Sequence, residues 1–98
     1  MIEITSEPLD PESITDKVRR RSSGAVVTFL GTTRDSTDDR HVLYLVYEVY
    51  EPMAENKLAE IVSELRDGYG VSEVAVSHRL GRLEVGEISL VVAVSAPH

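Results

Sequence analysis

With 98 residues, 42% of them apolar, the chain can build one small domain around one core. A formal net charge of −7 excludes non-specific nucleic-acid binding, because no basic field covers the molecule and any anionic ligand must be held by a local cluster. The absence of cysteine excludes a disulfide framework, a thiolate metal site and a cysteine nucleophile.

No apolar run reaches the roughly 18–20 residues of a membrane span, and Met1-Ile2-Glu3-Ile4 lacks a basic segment leading into an apolar one. A cytoplasmic protein without membrane contact is expected. Lys17 and Lys57 are the only lysines, and the acidic, lysine-poor composition is compatible with a salt-adapted cytoplasm.

Residues 2–5 read as a short strand. Asp10 at the N-cap, Pro11 at the first helical position and the Leu9/Ile14 staple open a helix with a thin stripe of Ile14 and Val18. Arg19, Arg20 and Arg21 are expected at its C-terminal end, where the helix dipole favours cations. Gly24 opens a strand, 25–30, too apolar to alternate and therefore expected to be buried on both faces. Residues 31–40 are polar and aperiodic, as in a surface loop. His41 to Tyr50 is a long β segment. Pro52 begins a helix with Leu58, Ile61, Val62 and Leu65 on one stripe, stopped by Gly68 and Gly70. Residues 71–80 form a strand with Val74, Val76, His78 and Leu80 on one face. A turn-rich link, 81–86, leads to a second doubly buried strand, 88–94. The order β-α-β-β-α-β-β is an α+β arrangement, and its first six elements suggest a ferredoxin-like split βαβ sandwich.

Chemistry concentrates at two places. Gly31-Thr32-Thr33-Arg34 follows a buried strand and sets two hydroxyls and a guanidinium where turned backbone N–H groups point outward. Such a loop can grip a phosphate or carboxylate, or it can be a plain polar connection. His98, after Pro97 at the mouth of the last strand, is a ligand-facing group or a frayed terminus. His78 reads as a histidine satisfied by a hydrogen bond in the core. His41, His78 and His98 are too dispersed for a metal spacing, and no P-loop or nucleophile elbow is present. Glu48, Glu51 and Glu55 can supply a carboxylate pair, or form the solvated face and first turn of a helix, where the dipole favours them.

Four segments in order resemble the large subunit of molybdopterin synthase. They are Gly24-Ala-Val-Val-Thr-Phe-Leu-Gly-Thr-Thr-Arg34; Tyr47-Glu48-Val49-Tyr50 leading into Met53-Ala54-Glu55; His78-Arg79-Leu80-Gly81-Arg82-Leu83-Glu84-Val85-Gly86-Glu87; and Ser95-Ala96-Pro97-His98. The resemblance implies the α/β-hammerhead fold of that subunit and a sulfurtransferase in molybdenum cofactor biosynthesis. The family's large subunit forms a homodimer within a heterotetramer. It receives a thiocarboxylated ubiquitin-like small subunit beside cyclic pyranopterin monophosphate and makes molybdopterin without a cofactor of its own. Carried over by motif, Thr32, Thr33 and Arg34 match the substrate-binding loop, Phe29 the aromatic before it, and His98 the histidine of a terminal His-Arg pair.

The chain departs from the family pattern in four respects. The arginine after that histidine, the following helix and the segment with two catalytic lysines match nothing in residues 1–98, and neither Lys17 nor Lys57 stands in for those lysines. No catalytic residue is therefore assigned, and the family position at Thr32 is often basic. Residues 1–98 are expected to form a single domain short of the family's C-terminal helix and lysine segment, able to bind without efficient turnover. Two readings compete: a non-catalytic module that docks the carrier and dimerises, and a ferredoxin-like sensor of a small ligand.

Overall fold

The computed structural model describes the backbone of residues 1–37, 40, 41, 44–47 and 51–98, and the side chains of 1–35, 53 and 55–98. The elements run β1 (Ile2–Thr5), α1 (Pro11–Asp16), β2 (Ala25–Thr32), β3 (Ser36–Thr37), β4 (Arg40–His41), β5 (Tyr44–Tyr47), α2 (Glu51–Gly68), β6 (Glu73–Arg79), β7 (Gly81–Glu84) and β8 (Ile88–Ala96). Four strands make the main sheet in the order β1-β6-β8-β2. β8 runs antiparallel to both neighbours, and β1 runs parallel to β6. This order sets aside the split βαβ alternative, because two strands rather than one separate β1 from β2. The architecture is α+β, as expected.

Helix α1 starts where the sequence says it should. The Asp10 carboxylate accepts from the Glu12 N–H at 3.2 Å, the Asp10 carbonyl accepts from the Ile14 N–H at 3.1 Å, and Pro11 occupies the first turn. The helix is only six residues long, so the three arginines lie beyond it. Arg20 still serves the helix end by donating to the carbonyls of Lys17 at 3.0 Å and Arg19 at 2.8 Å. Ile14 and Val18 press on Ala75, Val91 and Ala93 to form the core, with Leu9 and Ile88 packed at its margin.

Helix α2 lies on the opposite face, against β1 and β6, where Ile2 lines a groove of about 360 Å³ with Ala59, Val62, Ser63, Arg66 and Asp67. Leu58, Val62 and Leu65 are half-buried as the stripe predicts, whereas Ile61 is exposed. Among the described residues, no helix is long and apolar enough to cross a membrane.

Both strands expected to be buried on two faces depart from that reading. β2 lies at the sheet edge, with Val27 65% and Phe29 58% exposed. β8 alternates between fully buried residues facing α1 and half-buried ones on the other side. An apolar run reports affinity for a covered position but does not say that this chain supplies the cover.

The polar loop 31–40 holds a two-residue antiparallel pair, β3 with β4. The link 81–86 contains β7, which pairs with β5 and buries Leu83 completely. The expected segment 41–50 is β structure at His41 and 44–47, and its remainder lies outside the described residues.

Ile14 reaches the sheet from a short helix with little else to hold it. Ile14→Ala is therefore expected to lower stability by about 2–4 kcal/mol, read from the urea midpoint at unchanged slope.

Candidate functional site

The loop expected to carry the site is built by the end of β2. Along most of its length β2 pairs with β8 residue for residue, Ala25 with Ala96 through Gly31 with Leu90. At Thr32 the register jumps to Ile88, leaving Ser89 as an extra residue in β8. This bulge turns the chain, and the Ser89 hydroxyl donates to the Gly31 carbonyl at 3.2 Å to hold it. Gly31 is tight against β8, since a Cβ there would stand 3.2 Å from that of Leu90.

Thr33 is then fixed on both sides. Its N–H donates to the Glu87 carbonyl at 3.0 Å, and its own carbonyl accepts from the Gly86 N–H at 2.8 Å. The side chains of the loop divide accordingly. Thr32 and Arg34 are exposed, whereas Thr33 is 3% exposed, with its hydroxyl buried and without a partner among the described residues. Thr33 is thus placed as framework, and Thr32 and Arg34 face solvent, where a ligand would be. The Arg34 guanidinium has no partner among the described residues.

The segment that receives Thr33 holds an ion pair that no sequence pattern singled out. Arg79, the last residue of β6, donates to Glu87 at 2.7 Å, with its side chain only 15% exposed. The other carboxylate oxygen of Glu87 accepts from the Glu84 N–H at 2.8 Å, and the Glu87 N–H returns a bond to the Glu84 carbonyl at 3.0 Å. Gly86, at φ 87°, takes the left-handed conformation this turn requires. The Glu84 N–H, and then the Arg79 guanidinium, hold the Glu87 carboxyl below the usual carboxylate range against an opposing effect of partial burial. The signal for this pair was present in the sequence as opposite charges at the two mouths of a short connection, but pairing them required knowing that 80–86 folds back.

His98 is exposed at the other end of the same strand pair. The Gly24 N–H donates to the Ala96 carbonyl at 3.0 Å. A side chain at Gly24 would run into the Pro97 carbonyl, and its Cβ would lie 3.6 Å from the His98 Cα. β2 has eight residues, so at about 3.3 Å per residue it holds the ends that carry His98 and Arg34 roughly 25 Å apart within one chain. Phe29 lies between them, beside Val92 and open to solvent. The fold brings Thr32, Thr33 and Arg34 together and does not bring His98 to them. The groove under α2 includes none of these residues.

His78 is half-buried, and its Nδ1 donates to the Arg79 carbonyl at 2.9 Å, as its reading as a satisfied histidine requires. Glu55 is exposed on α2; Glu48 and the side chain of Glu51 lie outside the described residues. Among the described residues, no cluster of histidine and carboxylate side chains could hold a metal ion.

The family model described as MoaE protein matches residues 4–98. The chain is 44% identical over 96 residues to the molybdopterin synthase catalytic subunit of Bacillus subtilis (strain 168), covering 98% of this chain and 61% of that one. It therefore spans less than two thirds of the length of that curated relative. It superposes on molybdopterin synthase from Staphylococcus aureus with a TM-score of 0.88 at 39% identity, covering 98% of this chain and 70% of that chain. The fold alone is shared with a chain of the complex of subunits 1 and 2 of molybdopterin-converting factor from Helicobacter pylori 26695. There the TM-score is 0.78 at 20% identity, over 99% of this chain and 66% of that chain.

Because the Glu87 carboxyl is held below its ordinary range in the folded state, the unfolded chain takes up this proton at higher pH than the folded one. The stability it contributes is present above the free-glutamate value of about 4.3 and is lost as pH falls through the lower folded value. The gap in unfolding free energy between the protein and Glu87→Gln should be constant from neutral pH to about pH 5 and close in more acidic buffer, as measured by urea unfolding.

Proposed function

The chain belongs to the MoaE protein family, and from that membership we propose that it holds cyclic pyranopterin monophosphate for sulfur transfer in molybdenum cofactor biosynthesis. The sulfur donor in this reading is the thiocarboxylated tail of a ubiquitin-like small subunit. The observation that carries the reading is the exposed Arg34 guanidinium at the end of a backbone tied down on both sides of Thr33. A planar guanidinium on a fixed stem offers two parallel N–H donors to a phosphate, and the Thr32 hydroxyl beside it can add a third. A pre-set loop spends little ordering entropy on binding, which favours affinity for a small anion.

The role assigned to residues 1–98 is binding rather than transfer chemistry. Lys17 caps the end of α1, and Lys57 lies exposed on α2 within 3.5 Å of Glu60, in the manner of a surface ion pair. Neither belongs to the Gly31–Arg34 loop. The family lysines that act at acyl and sulfur transfer have no counterpart among these residues. A cytoplasmic site belongs to the same reading.

A second copy of the chain gives His98 its place. β2 is a sheet edge eight residues long, with Val26, Val27, Phe29 and Leu30 all exposed, a surface suited to pairing with another strand. An antiparallel pairing of β2 with its copy, about a two-fold axis near Thr28, carries Arg34 of one chain toward Gly24 and His98 of the other. The pocket is then completed across a homodimer, and the small subunit's tail enters it from outside the sheet. The H. pylori complex of subunits 1 and 2 is consistent with such a partner in a protein of this fold.

Arg34→Ala should weaken binding of cyclic pyranopterin monophosphate by about 1.5–3 kcal/mol in calorimetry, the range for charge-assisted hydrogen bonds. Unchanged affinity removes Arg34 from the site. Arg34→Ala and His98→Ala proteins, each weak alone, should regain tight binding when mixed and allowed to exchange subunits, because each mixed pair carries one intact site. A mixture as weak as its components rejects the shared site.

A further inference from the structure

We propose that Glu87, held by Arg79, is a positioning residue for Arg34: it fixes the backbone at Thr33 and so sets the direction in which the guanidinium leaves the surface. This inference rests on the reading of Arg34 as the phosphate-holding residue and goes beyond it by naming what aims that side chain.

Glu87 is engaged at every polar point it possesses. Its carbonyl accepts from Thr33, its N–H donates to Glu84, and its two carboxylate oxygens accept from Glu84 and Arg79. It therefore links three segments: the end of β6, the turn between β7 and β8, and the loop after β2. Of these, β6 is the rigid one, paired on both sides within the sheet and buried from Val74 to Ser77. The Arg79 side chain, largely buried at the end of that strand, carries the strand's fixed position to Glu87. The two backbone bonds at 86 and 87 pass it on to Thr33. Arg34 is the next residue. A shift of Glu87 by a fraction of an ångström would swing the guanidinium at the end of its long side chain by more, and a bidentate contact tolerates little error.

The sign of the effect separates positioning from simple electrostatics. Glu87 is an anion near a site proposed to hold an anion. Neutralising it without moving anything should tighten phosphate binding, because a repulsive charge is removed. If its role is to aim Arg34, neutralising it should weaken binding instead.

The experiment is a double-mutant cycle, with cyclic pyranopterin monophosphate as the calorimetric probe at neutral pH. The protein is compared with Glu87→Gln, Arg34→Ala and the double variant, each checked for folding by circular dichroism. The expected result is about tenfold weaker binding for Glu87→Gln alone and no further loss when it is added to Arg34→Ala. Tighter or unchanged binding in Glu87→Gln, or an equal loss in both backgrounds, overturns the positioning role while leaving Arg34 in the site. Unchanged binding in Arg34→Ala overturns the reading beneath it. If Glu87→Gln does not fold, Glu87→Asp, which keeps the charge on a shorter arm, takes its place in the same cycle with the same expected pattern.

Discussion

Strand β8 pairs on both sides, with β6 over six residues and with β2 over eight, and the core under α1, the loop after β2 and the place of His98 follow from that double ladder. Its inward residues form the floor on which α1 sits, and its bulge at Ser89 turns the end of β2 into the loop that presents Arg34. Its far end carries His98 alongside Gly24. A ladder of backbone hydrogen bonds is stiff along the strand, so the two ends of β2 cannot approach one another within one chain. The candidate site is accordingly divided between the ends of a rigid rod.

That division has a chemical consequence. In the proposed reading each chain offers half of an anion site, a guanidinium and hydroxyl at one end and an imidazole at the other. In that reading a second molecule, its β2 edge against the first, would join the halves. The exposed apolar side chains on β2 are costly in water, and their burial would be favourable in such a pairing. The same strand thus separates the site residues and supplies the surface that would reunite them.

Much of the framework was legible in the residues. The start of α1 is written in Asp10, Pro11 and Ile14 because capping is local chemistry, settled by neighbours three or four positions away. The Gly31–Arg34 motif was visible for a similar reason, since a glycine followed by hydroxyls and a guanidinium marks a turn wherever it occurs. The depth of burial of β2 and β8 was not legible. Val26, Val27, Phe29 and Leu30 would read the same at the centre of a sheet or at its edge, and only the strand order separates those cases. The strand at Gly81–Glu84 reads as a turn because Gly81 within it and Gly86 just after it mask a short alternation around Leu83. Thr32 and Thr33 look alike in the sequence although one is exposed and the other buried, because the bulge at Ser89, in a strand far along the chain, decides which hydroxyl faces in.

By itself the sequence determined the α+β class, the helix start, the location of the arginine loop and the family to which the chain belongs. All of these rest on neighbours close along the chain or on motifs in a set order. Only the tertiary structure decided that Thr33 is framework, that Glu87 joins three segments through Arg79, and that Arg34 and His98 lie at opposite ends of one strand pair. Those facts depend on register and strand order, which are set by pairing between residues some 50 to 70 positions apart, as between Ala25 and Ala96 or Gly31 and Leu90. No local preference encodes such pairings, because each is chosen by the sum of a whole ladder and its buried face.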